Sequence, residues 1–371
     1  MRWKSLYCAG ATVLSAAAVA SAAHAAVTPT STRLISKVTG PGPLNFTDLR
    51  WRVAGTDLGS MFEYQGQIRM VFGDTFGSPN GIGPAPLSRW RSNTMAVVSN
   101  LSDPRVGPLF ARMITNPSAP LVAKELLSSR KQNCANATGF CELTVIPNDG
   151  FAVGSRMYLH YMSIRRFDYP VPGDYDTNYS GLAYSNDGGQ NWTKDPHVTW
   201  SADSGLGIVA ATQTAGYVYL FGIPSGRLGS VRLARVPAGS VLDNTAYRYW
   251  DGTGWAPVEA AAAVVVGGPA GELSVQWNSY FGKWLMMYLR PGPRFDIVLR
   301  SADCLTGPWS APVPVVTSDQ YPTLYAPMLP PRWNDGPAAY FAMSIFTPYN
   351  VFWMRSALSG PHRPGLTPCV Q

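Results

Sequence analysis

Charge is scarce in this 371-residue chain: 14% of residues are Asp, Glu, Lys or Arg, and the cations are scattered without a Lys/Arg block. A nucleic-acid surface needs clustered cations, so no nucleic-acid partner is expected. The formal charge of +7 suggests at most a weak attraction to an anionic envelope. There are four histidines, and neither CxxC nor HExxH spacing occurs, which leaves zinc ligation a weak reading. No G-x-S-x-G elbow, P-loop or G-x-G-x-x-G is present, so serine-hydrolase, nucleotide-phosphate and dinucleotide chemistry lack their signatures. Beyond the opening segment no run of 18 apolar residues appears. The longest, "VEAAAAVVVGG", has the length of a strand or short helix and is interrupted early by Glu259, so no membrane span is expected in the mature chain.

The opening "MRWKSLYCAGATVLSAAAVASAAHA" reads as a secretory signal peptide: Arg2 and Lys4 start it, an Ala/Val/Leu-rich run follows, and Ala23-His24-Ala25 is a small-x-small cleavage signal. Residues 1–25 are assigned to the signal and 26–371 to a single domain, with retention as an N-terminal anchor as the alternative. Localisation is then secreted or cell-envelope/periplasmic. Losing Arg2 and Lys4 takes the charge from +7 to +5. Losing Cys8 leaves four of five cysteines, and an even count in an exported chain favours two disulfides. Cys134 and Cys141 close the short loop "CANATGFC", and Cys304 and Cys369 are left to pair over a long range.

What the chain has in quantity is glycine (36), proline (32) and aromatics (12%), the composition of a turn-rich β protein. An aromatic/aliphatic strand with little charge recurs five times: "QIRMVFGD" at 67–74, "RMYLHYM" at 156–162, "YVYLFGI" at 217–223, "KWLMMYL" at 283–289 and "AYFAMSI" at 339–345. Each is followed by a second strand. Five such units point to an all-β, five-bladed β-propeller. A two-sheet sandwich is the competing architecture and does not account for five equivalents. An insertion near residues 100–140 breaks the spacing, and a short helix is expected within it. Ser185 to Trp192 fits S-x-D-x-G-x-x-W, a hairpin turn in which Asp187 caps turn amides and the Trp packs beneath. Ser301-Ala302-Asp303 with Trp309 is a looser equivalent. Both resemble rim turns of sialidase-like and arabinanase-like propellers, so Asp187 is read as structural.

The stretch Gly55–Gly77, "GTDLGSMFEYQGQIRMVFGDTFG", reads as a hairpin about Gln65-Gly66. A two-residue turn pairs Tyr64 with Gln67, Phe62 with Arg69, Met61 with Met70, Gly59 with Phe72 and Asp57 with Asp74. Two like charges directly opposed destabilise a hairpin unless they share a proton, hold a cation or serve a functional pocket. Two unrelated turn carboxylates, or a bulge that breaks the register, are the bland readings. A carboxylate pair suits glycoside hydrolysis, one acid protonating the leaving oxygen and one carboxylate activating water or attacking the sugar.

With "WRSNTMAVVSN", "YLFGIPSGRLGSVRLARVP" and "GELSVQWNSYFGKWLMMY", that hairpin resembles glycoside hydrolase family 183, the mycobacterial-type endo-D-arabinanases, over about residues 35–360. The resemblance implies a five-bladed propeller that hydrolyses internal D-arabinofuranosyl linkages of arabinogalactan and lipoarabinomannan. It places the catalytic acids on Asp57 and Asp74 and implies an inverting single displacement, with Asp57 expected as base and Asp74 as acid. Glu272, His160, Arg227 and Asn93 are the further substrate-binding candidates. Trp90, Trp277 and Tyr325 are candidates for stacking on sugar faces. Each has a plain alternative: strand-start acid, core histidine, solvated turn or core aromatic. No cofactor is expected, with an axial calcium ion, as in some related propellers, left open; the expected partner is the D-arabinan polysaccharide, and the expected state is a monomer. A non-catalytic carbohydrate-binding propeller of the envelope and a glycosidase of other specificity, such as an L-arabinanase, are the competing functions.

Overall fold

Five antiparallel sheets stand radially around one axis in the computed structural model, which describes residues 25–77, 90–168 and 173–370. The signal-peptide assignment lies outside the described residues but for Ala25. Blade I is built from Gly55–Tyr64, Gln67–Phe76, Thr94–Val98 and Phe110–Met113, and Trp90–Arg91 pairs the end of its second strand. Blade II follows with Thr144–Val153, Arg156–Phe167, Tyr175–Ser185 and Thr193–Ser201. Blade III uses Ile208–Thr214, Tyr217–Ile223, Gly229–Pro237 and the short Arg248–Trp250, with Val264–Ala270 also along its third strand. Blade IV comprises Leu273–Asn278, Lys283–Arg290, Asp296–Ala302 and Val313–Thr317. In blade V, Leu324–Met328, Ala338–Ile345 and Asn350–Ser359 are joined by Thr28–Lys37 as the outermost strand. The first strand of each blade touches the first strand of the next, and the fifth touches the first, which closes the ring.

The five recurring apolar runs are the second strands of the five blades. Lys283–Leu289 is buried at every position, as is Met157–Ile164. Each sheet is covered on both faces by its neighbours, so its middle strands read as continuous apolar runs and not as alternating patterns. Closure is chemical as well as steric. Thr28 pairs with Ser359 and Lys37 with Phe352, zipping the N-terminal strand onto the last blade. The Cys304–Cys369 disulfide pins the C-terminal tail to blade IV, where the Cys369 carbonyl accepts the Trp284 indole N–H at 2.9 Å. Cys134–Cys141 closes the short loop.

The helix expected in the insertion is absent. Residues 115–143 form a small hairpin (Thr115–Asn116 with Ala119–Ala123) and then extended loop. Leu126 and Leu127 are both buried. Their amide N–H groups donate to the Asn93 side-chain oxygen at 3.0 and 2.8 Å in place of helical carbonyls. Both tryptophan-bearing turns join third to fourth strands at the outer edge. In the first, Asp187 accepts from the Asn191 backbone, the Asn191 amide and the Ser185 hydroxyl. In the second, Asp303 instead pairs with buried Lys283 at 2.7 Å.

Candidate active site

The hairpin register holds near the turn and then departs from expectation. Gln65 (φ 48°) and Gly66 (φ 74°) form the two-residue loop with both central residues left-handed. Tyr64–Gln67, Phe62–Arg69 and Met61–Met70 pair as anticipated. Gly59 then bulges (φ 81°), so Leu58, not Gly59, faces Phe72. A second irregularity sets Asp57 against Gly73 and Asp74 before Thr56 meets Thr75. The direct Asp57–Asp74 pair is therefore broken. The cause is blade V: the Ser344 hydroxyl accepts the Leu58 N–H at 2.8 Å, and the Tyr349 carbonyl accepts the Thr56 N–H at 2.9 Å. Gly73 is required for space, since a Cβ there would stand 2.4 Å from Asp57 Oδ1.

Asp57 and Asp74 nevertheless open on one cavity of about 690 Å³, at the end of the propeller where the inner strands begin and the second strands finish. Each is held by donors from distant sequence. Asp74 Oδ1 accepts the Trp90 indole N–H at 2.7 Å and the Thr144 hydroxyl at 2.6 Å. Asp57 Oδ2 accepts the Tyr325 hydroxyl at 2.9 Å, while its buried Oδ1 has no partner among the described residues. Burial raises the Asp57 carboxyl to about 7, against the opposing effect of the Tyr325 and Tyr349 hydroxyls; Glu272 pushes it further up and Arg227 pulls it down. Burial likewise raises Asp74 to about 7, with Thr144 and Trp90 opposing, Asp57 adding to the rise and Lys131 countering it. Burial also keeps Tyr325, Tyr349 and Tyr175 protonated, well above the usual tyrosine range, so their hydroxyls remain donors.

Glu272 and Arg227 also line the cavity, but they are bound to each other. Arg227 Nε and Nη2 donate to the Glu272 carboxylate at 3.0 and 2.6 Å, and Nη1 donates to the Gly173 carbonyl. The guanidinium sits 5.3 Å from the Tyr175 ring and 5.6 Å from the Tyr325 ring. The pair therefore builds the cavity wall and sets the charge around Asp57.

His160 and Asn93 do not line the cavity. His160 is fully buried, between Asn148 Oδ1 at 2.8 Å and the Leu206 carbonyl at 3.0 Å, and burial lowers its pKa to about 3. A neutral imidazole donates once, so Nε2–H goes to Leu206 and Nδ1 accepts from an Asn148 amide turned to donate. It is a core histidine behind Asn148, which lines the cavity itself. Asn93, also fully buried, spends its amide on the Leu127 and Val145 carbonyls and its oxygen on two backbone N–H groups. Trp277 packs on Trp284 at 5.4 Å outside the cavity lining, whereas Trp90 and Tyr325 act through their polar atoms. Thr144, Tyr349, Tyr175 and Asp174 went unmarked in the sequence; only their fold-brought neighbours give them away. Among the described residues no three His, Cys, Asp or Glu side chains cluster as a metal ion needs.

A propeller with two buried carboxylates at one end of its axis defines a class of architecture and a constellation suited to acid–base chemistry. The chain belongs to the family described as Domain of unknown function (DUF4185), which it matches over residues 43–355. It is 30% identical over 274 residues to Notoamide biosynthesis cluster protein J of Aspergillus sp. (strain MF297-2), covering 70% of each chain. Among solved structures it is similar to a putative hydrolase from Bacteroides ovatus ATCC 8483, with a TM-score of 0.54, 13% identity and coverage of 82% of this chain and 86% of that one. It is also similar to the GH43 protein BlXynB from Bacillus licheniformis, with a TM-score of 0.49, 11% identity and coverage of 87% and 60%. The likeness to the Bacteroides protein shows the fold alone.

Proposed function

We propose that this protein is an exported glycoside hydrolase that cleaves internal D-arabinofuranosyl linkages of envelope D-arabinan with Asp57 and Asp74. The observation that carries the reading is the pair itself: two carboxyls on one hairpin, raised to about 7, facing one cavity and each held by fixed donors. With both groups near neutrality, one can stand protonated as the acid while the other is ionised as the base. Asp74 is the acid. Both of its donors go to Oδ1, leaving Oδ2 to carry the proton toward the leaving oxygen. Asp57 is the base, in keeping with its place on the innermost strand of the blade, nearest the axis. Water activated by Asp57 on the opposite face of the sugar gives inversion. The two disulfides suit an oxidising, exported location. The substrate assignment rests on the resemblance of four ordered motifs to the endo-D-arabinanases.

Product analysis on D-arabinan tests the reading. The chain should release oligosaccharides, and Asp57→Asn and Asp74→Asn should each lose that release while remaining folded. Full activity in both single variants, or saturable glycan binding with no product after long incubation, would sink it. L-arabinan cleaved in preference to D-arabinan would reassign the substrate.

A further inference from the structure

The cavity mouth carries an apolar collar that the carboxylate chemistry does not use. At or beside the connection between second and third strands, blades I, II, IV and V place Phe76, Phe167, Phe295 and Phe346, all lining the cavity. Blade III places Leu228 at the equivalent point, next to the cavity residue Arg227. Phe167, Leu228, Phe295 and Phe346 remain 45, 59, 37 and 50% exposed. Phenylalanines from four separate blades around one opening are a patch of the kind that marks a binding surface, not scattered surface hydrophobics.

Three collar rings are backed by aromatics that belong to the site. Phe76 stacks on Trp90, the donor to Asp74, with centroids 6.3 Å apart, and lies 5.6 Å from Tyr349. Phe346 packs edge-on to Tyr349 at 5.8 Å, and Phe167 to Tyr175 at 6.2 Å. The collar is thus held in place and is continuous with the carboxylate cavity. Neither Phe nor Leu offers a polar atom, and a sugar hydroxyl brought against them loses water without gaining a partner. A hydrocarbon group suits them.

We infer that this site also takes amphipathic ligands: a glycoside whose sugar reaches Asp57 and Asp74 while an attached hydrocarbon group lies on the phenylalanine collar. The sugar end rests on the function proposed above; the hydrocarbon end rests on the collar alone.

Calorimetric titration of the full mature chain with methyl, butyl and octyl D-arabinofuranosides, below their micelle concentrations, tests it. Affinity should rise at least tenfold from methyl to octyl, which is about 1.4 kcal/mol. Phe295→Ala and Phe346→Ala should each flatten that slope, and Leu101→Ala, at an exposed site outside the collar, should not. Equal affinities along the series, no binding of any alkyl glycoside, or a slope untouched by both Phe variants overturns the inference. Affinity that grows with the number of arabinose units but not with alkyl length overturns it in favour of a sugar platform. Tight binding to phosphatidylcholine/phosphatidylglycerol vesicles without an alkyl slope overturns it in favour of a membrane-facing collar. An alkyl slope in a chain that leaves D-arabinan uncut sinks the arabinanase reading and keeps the collar; cleavage without a slope does the reverse.

Discussion

Asp74→Asn should make the protein more stable at neutral pH while removing its activity. Asp74 is 5% exposed, and burial lifts its carboxyl from 3.8 to about 7. A carboxyl whose folded pKa lies above its unfolded value favours the folded state at low pH, and that advantage is lost as pH rises from about 4 through about 7. A shift of about 3 units at ~1.36 kcal/mol each sets a ceiling near 4 kcal/mol. Part of the rise comes from the neighbouring Asp57 charge, and that coupling brings the expected gain from the Asn variant at pH 8 to on the order of 2–3 kcal/mol. The amide keeps the acceptor for Trp90 and Thr144 and carries no charge to desolvate. Urea denaturation at pH 4 and pH 8 measures the difference between variant and parent. The variant should gain at pH 8 and show little change at pH 4, while release of reducing ends from D-arabinan falls by roughly 10²–10⁴, the usual share of a general acid. An Asn variant that is less stable than the parent at pH 8, or whose advantage does not vary with pH, refutes the reasoning.

Activity should follow a bell in pH with its maximum near 7, since one carboxyl must be protonated and the other ionised; a plateau from pH 5 to 9 in kcat/KM contradicts the acid–base pair. Tyr325→Phe removes the donor to Asp57 Oδ2, so the limb set by the base should move to higher pH and the rate at pH 6 should drop about tenfold or more, with the circular dichroism spectrum kept. Asn93→Ala strips four hydrogen bonds from buried backbone and should cost on the order of 3 kcal/mol in urea denaturation, with kcat per folded molecule retained. Cys304→Ser with Cys369→Ser opens a closure spanning 65 residues and should lower stability by about 4 kcal/mol.

The legible parts of this fold are those in which local chemistry and burial coincide. The second strands could be read because neighbours cover both faces and demand unbroken apolar runs. Gln65-Gly66 could be read because a tight two-residue turn calls for positive φ, which a glycine meets without strain. The helix expected within the insertion near residues 100–140 does not form, because Asn93, more than thirty residues before Leu126, accepts the backbone N–H groups that helical carbonyls would have taken. His160 and Asn93 looked like ligands because a polar residue within an apolar stretch has the same appearance whether it faces a cavity or satisfies buried backbone.

By itself the sequence determined the five-fold repeat, the hairpin and the nearness of Asp57 and Asp74, all consequences of interactions within about 20 residues or of composition repeated blade by blade. Tertiary structure alone decided what those carboxylates are. Blade V bent the hairpin out of register through Ser344 and Tyr349, Thr144 came to Asp74 from 70 residues away, and Tyr325 came to Asp57 from 268. Desolvation and hydrogen bonding, which set a carboxyl's pKa, depend on what surrounds it in space, and ring closure put neighbours there that no stretch of chain announces.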